Sequence, residues 1–514
     1  MRESHSPDAR RRRRLAAGEM QPARAVDYRN LKNPFPSTPV FSDDRVEAMH
    51  QMALRVLEDL GMKVLLPEAR AMFRAAGALV DDDSQMVRIG RDIVESAIAT
   101  APRSILCRGG SRDRDLTLKL GALAIQTGAG SPNVTDLVKG RRASTHADFE
   151  TLIRLTQHFD VLHMLSPGVE AGDLPTHLRH FQVHRTQLLR SDKLPFVYSR
   201  GTPQVEDAFQ MIRLARGLDE AAFAAAVHCY TIINTNSPRQ LDIPMAQGLI
   251  DFARAGQMSI VTPFCLMGAM APMTVAGALT LSHAEALAAI TLTQIAKPGA
   301  PVCYGAFASN VDMKSGAPAF GTPEQVKANL GAGQLARRLG LPWRCAAGCA
   351  ANINDAQAAH ETQMSAWGAL LAGATVLIHG AGWLEGGLTV SFEKLITDLE
   401  VMQTFAELCQ PTPNAEADLA FEALREVAPG GHFFAAAHTM ERYRTAFYQP
   451  LVADWSNFGT WTERGAKDAN VRASALWQAI VKEPPAAFLA ADTLEALDAF
   501  IAGREAEGGA PPVS

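Results

Sequence analysis

The sequence lacks the long, uninterrupted hydrophobic run that a membrane-spanning helix requires. Its longest uncharged stretch, Met258–Ser282, is broken by Pro263, Gly268, Pro272 and Gly277. A strand, a loop and the start of a buried helix explain this stretch better than a bilayer span of comparable length. We therefore expect a protein without a membrane anchor.

The chain also lacks a strong excess of either charge. Its 514 residues carry a net charge of −5, which makes neither nucleic acid nor an anionic membrane an expected partner. No apolar core follows Arg10–Arg14, so this run does not fit a secretory signal. A solvated tail is the preferred interpretation, and a functional basic arm is the alternative.

Cysteines are few and odd in number. There are seven, and five of them fall in predicted strands or at their ends: Cys229, Cys265, Cys303, Cys345 and Cys349. Buried thiols in a reducing cytoplasm fit this distribution better than a disulfide framework does. The predicted location is therefore cytoplasmic.

The hydrophobic pattern divides the chain into four parts. Residues 1–45 are polar and read as a disordered tail, and residues 46–115 carry helical stripes, as in Pro67–Ala76 and Gly90–Ala101. Residues 116–410 alternate strand-like and helical runs. Residues 411–514 are predicted to be a mainly helical extension that packs on this central domain.

Eight strand–helix units occupy the central part of the chain. The strand candidates are Leu123–Gly128, Val161–Ser166, Pro195–Ser199, Ala225–Ile233, Ser259–Cys265, Pro301–Phe307, Trp343–Cys349 and Ala374–His379. Helical runs follow near Ala147–His158, Pro175–Arg190, Pro203–Arg216, Met245–Ala255, Met273–Ala296, Pro323–Leu339, Asn354–Ala372 and Ser391–Cys409. Eight such units, with apolar rather than alternating strands, are typical of the α/β class and of a (β/α)8 TIM barrel.

A doubly wound open sheet is the alternative architecture, because strand order cannot be read from one sequence. The first strand candidate is not followed by GxGxxG, and GxxxxGK[ST] does not occur anywhere in the chain. Both are phosphate-binding signatures of open α/β sheets and P-loop proteins. We therefore favour the barrel.

Aromatic residues recur at the predicted strand ends, where barrel enzymes place their chemistry. The candidate substrate-binding aromatics are Tyr198, Tyr230, Phe264, Tyr304, Phe307 and Trp383. Core or loop packing would explain any one of them. Together they suit a quaternary ammonium ion, which cannot donate a hydrogen bond and is held by ring faces at about 0.5–2 kcal/mol each.

Few acids and bases accompany these rings. Glu385, between Gly382 and the Gly386–Gly387 pair, and His379, at the end of the eighth strand, are the candidate catalytic residues. Glu170 and His228 are further possibilities, although a lone histidine in an apolar strand is more often a core residue. Polar residues that could bind a substrate carboxylate are Asn234, Asn310, Asn236 and Arg200, and loop capping would explain each equally well.

A zinc site is disfavoured by spacing. Cys345 and Cys349 are four residues apart in a predicted strand, hence roughly 13 Å apart at ~3.3 Å per residue. Two thiolates of one tetrahedral zinc cannot be that distant, and no third ligand has a recognisable spacing. We predict no bound metal.

Several runs of the sequence resemble the trimethylamine methyltransferase family. They are GAGWLEGGLTVSFEKLITD (380–398), AAGCAANINDAQAAHETQ (346–363), GGHFFAAAHTMERYR (430–444) and the N-terminal GMKVLLPEARAMFRAAGALVD (61–81). The resemblance runs in order from about residue 40 to 480. It implies a (β/α)8 barrel that moves a methyl group from a methylated amine to the cobalt of a separate corrinoid protein, with no cofactor held tightly by this chain.

One departure from the family pattern narrows the range of expected substrates. Members that use trimethylamine carry pyrrolysine in the barrel mouth, whereas all 514 residues here are standard, and Cys349–Asn352 is the best placement of the missing residue. Relatives without pyrrolysine resemble demethylases of glycine betaine and other quaternary amines. A quaternary ammonium already carries a neutral amine as leaving group, so it needs no covalent adduct.

We therefore expect a methyltransferase that demethylates glycine betaine or a close analogue. The alternatives are a trimethylamine or other methylamine methyltransferase, direct methyl transfer to tetrahydrofolate, and a non-catalytic betaine-binding subunit. A requirement for added corrinoid protein would separate corrinoid-dependent methyl transfer from direct transfer to tetrahydrofolate. Tight binding without turnover would indicate the non-catalytic betaine-binding subunit. A homo-oligomer is possible.

Overall fold

The structure is a computed structural model that describes residues 26–128 and 130–513. Most of the predicted tail, including Arg10–Arg14, lies outside the described residues. Two compact units are formed: residues 29–409 together with 451–514 make the larger one, and residues 410–450 group with residues 26–28 in the smaller one. The candidate site lies in the larger unit.

The strands are short, and most are strongly apolar. They are β1 (Leu31–Lys32), β2 (Met62–Val64), β3 (Leu79–Asp81), β4 (Met86–Arg88), β5 (Ser104–Cys107), β6 (Leu116–Lys119), β7 (Ala122–Ile125), β8 (Asn133–Thr135), β9 (Arg142–Ala143), β10 (Tyr230–Ile233), β11 (Gln240–Leu241), β12 (Met258–Val261), β13 (Phe264–Met267), β14 (Val302–Gly305), β15 (Phe307–Val311), β16 (Pro318–Ala319), β17 (Trp343–Ala346), β18 (Val376–Ile378), β19 (Trp383–Leu384) and β20 (Thr389–Ser391).

The helices alternate with these strands through the central part of the chain. They are α1 (Asp43–Arg55), α2 (Pro67–Ala75), α3 (Arg91–Thr100), α4 (His146–His158), α5 (Arg179–Arg190), α6 (Thr202–Arg216), α7 (Glu220–Ala224), α8 (Ile243–Arg254), α9 (Val275–Ala296), α10 (Pro323–Leu339), α11 (Ala356–Leu371), α12 (Phe392–Leu408), α13 (Phe421–Glu426), α14 (Ala437–Arg442), α15 (Phe458–Glu463), α16 (Ala469–Lys482) and α17 (Ala491–Ala506).

A parallel sheet with the order β7-β18-β17-β14-β12-β10 forms the centre of the larger unit, and β1 pairs antiparallel with β7. Its strands β10, β12, β14, β17 and β18 are buried almost throughout, as expected of parallel strands covered by helices. The fold therefore belongs to the α/β class, with antiparallel and mixed sheets added at its periphery.

Single parallel bridges extend this pairing beyond the sheet. Gln126 pairs with Met164, Met164 pairs with Leu194, and Phe196 pairs with Tyr230 at the start of β10. The predicted strands Val161–Ser166 and Pro195–Ser199 thus contribute isolated bridges rather than continuous ladders. Two other predicted strands are interrupted, because Ser259–Cys265 spans β12 and β13, and Pro301–Phe307 spans β14 and the first residue of β15.

The predicted helices of the central part are all present, with ends shifted by a few residues at most. The predicted run Asn354–Ala372 starts slightly too early: the cap of α11 is Asp355, whose side chain accepts the backbone N–H groups of Gln357 and Ala358. Asn354 instead hydrogen-bonds Thr397 and Asn470. Such long-range contacts are invisible to a local capping pattern.

Helix α9 is the central apolar helix of the larger unit. Its length and hydropathy would allow a membrane span, but 78% of its most apolar 18-residue window is buried within the protein. It packs against α1, α3, α8 and α10. The uncharged Met258–Ser282 stretch accordingly contains β12, β13, a loop and the first turns of α9.

Candidate active site

A cavity of about 580 Å³ lies at the carboxyl-terminal ends of the parallel strands. Residues just beyond β10 and β18 line it, including Asn234 and His379. In parallel α/β folds, this end of the strands is where ligands bind. Eight of the residues named as candidates from the sequence line this cavity: Tyr198, Arg200, Asn234, Asn236, Phe264, Phe307, His379 and Trp383.

Aromatic rings form much of the cavity wall. Phe264 and Phe307 begin the paired strands β13 and β15 and lie opposite each other in register, with ring centroids 4.9 Å apart. Trp383 lies 5.8 Å from Phe307 between ring centroids, and Tyr198 adds a half-buried ring from the segment after Leu194. These elements bring together rings that are up to 185 positions apart (383 − 198) in the sequence.

Trp383 is held by its glycine-rich surroundings. The backbone N–H of Gly382 donates to a carboxylate oxygen of Asp398 at 2.9 Å, which fixes the start of the loop. Gly387 has a φ of +102°, and a Cβ atom there would lie 2.3 Å from the Trp383 ring. The indole therefore occupies space that only a glycine at position 387 leaves open.

His379 stacks on this indole. The two ring centroids are 4.0 Å apart with an interplanar angle of 10°. Burial, and secondarily the positive charge of Arg344, hold the pKa of His379 well below its usual value, so the ring is neutral at physiological pH. Its Nε2 faces the Arg344 guanidinium at 3.2 Å and accepts a hydrogen bond, which leaves Nδ1 as a buried donor without a partner.

Arg344 is the functional candidate that the sequence reasoning missed. It is 2% exposed, lines the cavity from β17, and lies with its guanidinium carbon 5.0 Å from the centre of the Phe307 ring. Its guanidinium donates to the backbone oxygen of Ala306 and to His379, while its Nε has no partner. A charged residue inside the apolar strand WRCA was the available signal.

The charge of Arg344 is not compensated by an acid within the described part of the chain. No Asp or Glu pairs with it there, and none lines the cavity. Burial lowers the pKa of Arg344 to about 9, which still leaves the guanidinium cationic at neutral pH. Since a buried, unpaired charge is costly, the site is suited to a ligand that supplies an anionic group.

Glu385, a predicted catalytic residue, is not among the residues that line the cavity. Its carboxylate accepts two hydrogen bonds from Arg141, at 2.8 and 2.9 Å, and its side chain is 15% exposed. The hydrogen bonds from Arg141 are the main reason why the pKa of Glu385 is lowered. Gly386 and Gly387 reach the cavity, whereas the carboxylate is engaged by Arg141.

Tyr230, Tyr304 and Asn310 are not brought into the cavity. Tyr230 is fully buried at the start of β10, where its hydroxyl contacts Gln126 and the backbone oxygen of Leu165. The Tyr304 hydroxyl lies 3.1 Å from His283 of α9, so this ring faces the helical layer. The Asn310 side-chain oxygen accepts a hydrogen bond from Thr322.

The weaker candidates also have structural partners. Glu170 pairs with Arg179 and Arg200, each at 3.3 Å, and Arg200 lines the cavity. Asn236 lines the cavity and hydrogen-bonds Asp242. His228 lies at the opposite end of β10 from Asn234, so it is remote from this site.

The segment Cys349–Asn352, the predicted equivalent of the pyrrolysine position, lies next to the Trp383 loop. The backbone N–H groups of Glu385 and Gly386 donate to the carbonyls of Ala351 and Cys349, at 2.9 and 3.0 Å. Cys345 and Cys349 are free and buried. Within residues 26–128 and 130–513, no three His, Cys, Asp or Glu side chains are grouped so as to hold a metal ion.

Comparison with known proteins finds relatives that match most of the chain. The family profile described as trimethylamine methyltransferase (MTTB) matches residues 7–509. The glycine betaine methyltransferase of Desulfitobacterium hafniense strain Y51 is 31% identical over 92% of this chain and 98% of its own length.

The chain is also similar to trimethylamine methyltransferases. MttB of Desulfitobacterium hafniense strain DCB-2 is 30% identical over 84% of this chain and 87% of its own length, and MttB1 of Methanosarcina mazei is 28% identical over 90% and 94%. Among solved structures, the Methanosarcina barkeri monomethylamine methyltransferase (MtmB) aligns with 90% of this chain and 96% of its own, at 10% identity and a TM-score of 0.47.

Proposed function

Since the chain belongs to the trimethylamine methyltransferase family, we propose that it demethylates a carboxylate-bearing quaternary amine, glycine betaine or a close analogue, and passes the methyl group to a corrinoid protein. One observation carries this proposal: a single cavity combines aromatic ring faces with a buried guanidinium that no acid neutralises. The rings suit the methylated cation, and Arg344 suits the carboxylate of the same molecule.

The aromatic wall binds the ammonium group by charge–quadrupole attraction. Tyr198, Phe264, Phe307 and Trp383 would each contribute about 0.5–2 kcal/mol, because a quaternary nitrogen offers no hydrogen-bond donor. Because the His379 ring is neutral, it places no positive charge against the Trp383 indole on which it stacks. The wall therefore holds the cation without an acidic side chain.

Arg344 selects for a zwitterion over a simple cation. A methylated ammonium without a carboxylate would lie close to an unopposed positive charge, and like charges at about 6 Å with an effective dielectric constant near 20 repel by ~3 kcal/mol. When the substrate carries a carboxylate that binds the Arg344 guanidinium, attraction replaces this repulsion, and charge-assisted hydrogen bonds form as well. The unpartnered Nδ1 of His379 is a further donor to it.

The residues present also suit an external methyl acceptor. No thiol, amine or carboxylate side chain is found among the described residues that line the cavity, so none of these groups is available there to accept the methyl group. When bound, the reduced corrinoid of a partner protein supplies the nucleophile. This chain binds the substrate, aligns an N-methyl group with the cavity opening, and excludes water, so its contribution is mainly orientation.

We further propose that the parallel strands close into a (β/α)8 barrel, with residues near 164 and 194–196 as the second and third strands. The single bridges from Gln126 to Met164, from Met164 to Leu194 and from Phe196 to Tyr230 support this closure. The helical N-terminal region of residues 46–115 and the segment after residue 410 would then be additions to the barrel. Free, mostly buried cysteines support a cytoplasmic location.

Methyl transfer to the reduced cognate corrinoid protein, followed by absorbance spectroscopy, tests the function. We expect glycine betaine to be a better substrate than tetramethylammonium, which lacks the carboxylate, and than trimethylamine, which lacks both features. The absence of methyl transfer from any quaternary amine would refute the proposal.

Arg344→Gln tests the role assigned to the guanidinium. Loss of a hydrogen bond to a charged group costs about 1.5–3 kcal/mol, so we expect KM for glycine betaine to rise roughly 10- to 150-fold, without loss of tetramethylammonium binding. Arg337→Gln is the control, because Arg337 is partly buried and, like Arg344, donates to a backbone carbonyl, that of Ala372, but lies outside the cavity. An equal loss of affinity for glycine betaine and for tetramethylammonium in Arg344→Gln would show that Arg344 acts only on the fold.

A further inference from the structure

A second large cavity lies at the opposite end of the strands and has no role in the proposed methyl transfer. It measures about 1150 Å³ and is lined by the loop at 108–112, by residues around Lys193 and Arg216, and by Phe488 and Leu489. We call it the basal cavity. His228 belongs to its wall and Asn234 to the candidate active site, and six residues of extended chain separate them by about 20 Å.

The two acids of the basal cavity are already paired with arginines. Asp115 binds Arg108 at 2.5 Å and accepts the backbone N–H of Gly109. Asp192 binds Arg114 at 3.1 Å and accepts hydrogen bonds from Ser111 and Gln157. Neither carboxylate is therefore available to neutralise a further cation.

Two arginines of the wall lack an acidic partner. Arg216 donates to the backbone oxygen of Arg108 at 2.8 Å and to Nδ1 of His228 at 3.0 Å, and it forms no ion pair in the described part of the chain. Arg112 is exposed, and its side chain makes neither an ion pair nor a hydrogen bond there. Most of their donors are thus free to meet a ligand.

The charge of Arg216 persists at physiological pH. Burial lowers its pKa to about 10, which is still well above neutrality. His228 is uncharged, because burial and the adjacent Arg216 lower its pKa to about 4. The guanidinium therefore donates to Nδ1 of this ring.

The geometry points to a binding site for a small organic phosphate in the basal cavity, with Arg112 and Arg216 as its anion-binding residues. Guanidinium groups bind phosphate oxygens through two parallel N–H donors, and several of them suit a dianion better than a single carboxylate. Phe488 and Leu489 supply apolar surface for the organic part. The cavity volume is large enough for a nucleotide.

Direct binding to the full-length protein, without any corrinoid protein, tests this inference. Isothermal titration calorimetry would use inorganic phosphate, pyrophosphate, ATP and adenosine as probes at low salt. We expect ATP and pyrophosphate to bind, saturating glycine betaine not to compete, and adenosine alone not to bind. Binding of inorganic phosphate but not of ATP would overturn the assignment to an organic phosphate, whereas binding of ATP alone would support it and identify a nucleotide site.

Variants link the binding to these residues. Arg216→Gln and Arg112→Gln should each weaken ATP or phosphate binding at least tenfold, whereas Arg55→Gln should not, because that surface arginine pairs with Asp59 away from both cavities. Arg112 is exposed, so its variant is expected to fold even if Arg216→Gln does not. Binding of adenosine equal to that of ATP, unchanged affinity in both variants, or no binding of any phosphate would overturn the inference.

Discussion

Removal of the charge of Lys394 should destabilise the protein and loosen the Trp383 loop. Lys394 and Asp398 form an ion pair along α12, with a separation of 2.7 Å and side chains 0% and 4% exposed. Lys394 also donates to Thr362 at 2.8 Å. The second carboxylate oxygen of Asp398 accepts the N–H of Gly382, so this buried pair anchors the loop that carries the indole.

The magnitude follows from the burial of both charges. In Lys394→Met the Asp398 carboxylate remains buried without its partner, which typically costs about 3–5 kcal/mol. With an unfolding entropy near 2.1 cal/mol/K per residue, a chain of this length loses about 3–5 °C in Tm. Replacement of both residues, Lys394→Met with Asp398→Asn, removes both charges and should recover at least half of the loss.

The loss of stability in Lys394→Met should also depend on pH, and its direction can be worked out. Burial already raises the pKa of Asp398, and removal of the lysine raises it further. A carboxyl group whose pKa is higher in the folded than in the unfolded state favours folding below its unfolded pKa and loses that contribution as pH rises. Lys394→Met should therefore be less destabilised at pH 5 than at pH 8.

Thermal unfolding followed by circular dichroism provides the assay, with Arg55→Met as the control. Arg55 pairs with Asp59 at the same i,i+4 spacing, but the side chains are 67% and 58% exposed, so its loss should cost less than about 1 kcal/mol. A Tm change in Lys394→Met no larger than in Arg55→Met, or no recovery in the double variant, would refute the assigned anchoring role.

Three further outcomes follow from the structure. Phe264→Leu should raise the KM for glycine betaine and for tetramethylammonium alike by about 2- to 30-fold, because the proposed binding mode places the ring against the cation common to both; a change for one ligand only would contradict this placement. Arg141→Gln should lower stability at pH 7 by less than about 1 kcal/mol, because Arg141 is half exposed. Since the pKa of Glu385 is lowered in the folded protein, that contribution is present above the unfolded pKa and should vanish in acid, as urea titrations at pH 3 and 7 would show. His184 is buried with a pKa lowered to about 3, so its contribution is lost as pH falls below its unfolded value near 6.5; His184→Gln should reduce the slope of stability against pH by up to ~1.4 kcal/mol per unit between pH 5 and 6.

The helices were the most predictable part of the fold. Helical spacing of apolar residues depends only on neighbours within a few positions, and the predicted helix Pro323–Leu339 coincides with α10. The strands were less predictable, because a strand exists only where a distant partner continues its ladder. Val161–Ser166 and Pro195–Ser199 are apolar enough for strands and yet form single bridges.

The candidate site was only partly accessible to sequence reasoning. Family-like runs and aromatic residues at predicted strand ends indicated a methylated cation, and several of those rings do line one cavity. Whether a ring faces the cavity or a helix depends on the register and pleat of its strand. Tyr198 and Tyr304 therefore looked equivalent in the sequence, although Tyr304 faces His283 of α9.

The sequence by itself determined the succession of strands and helices, the family, and the methylated-cation chemistry, because these depend on local patterns and on long colinear runs. Only the tertiary structure decided which charged side chains contact each other. It paired Glu385 with Arg141, 244 positions away, and left Arg344 beside the aromatic wall without an acid. Charge compensation depends on through-space distances of a few ångströms, which no spacing along the chain specifies.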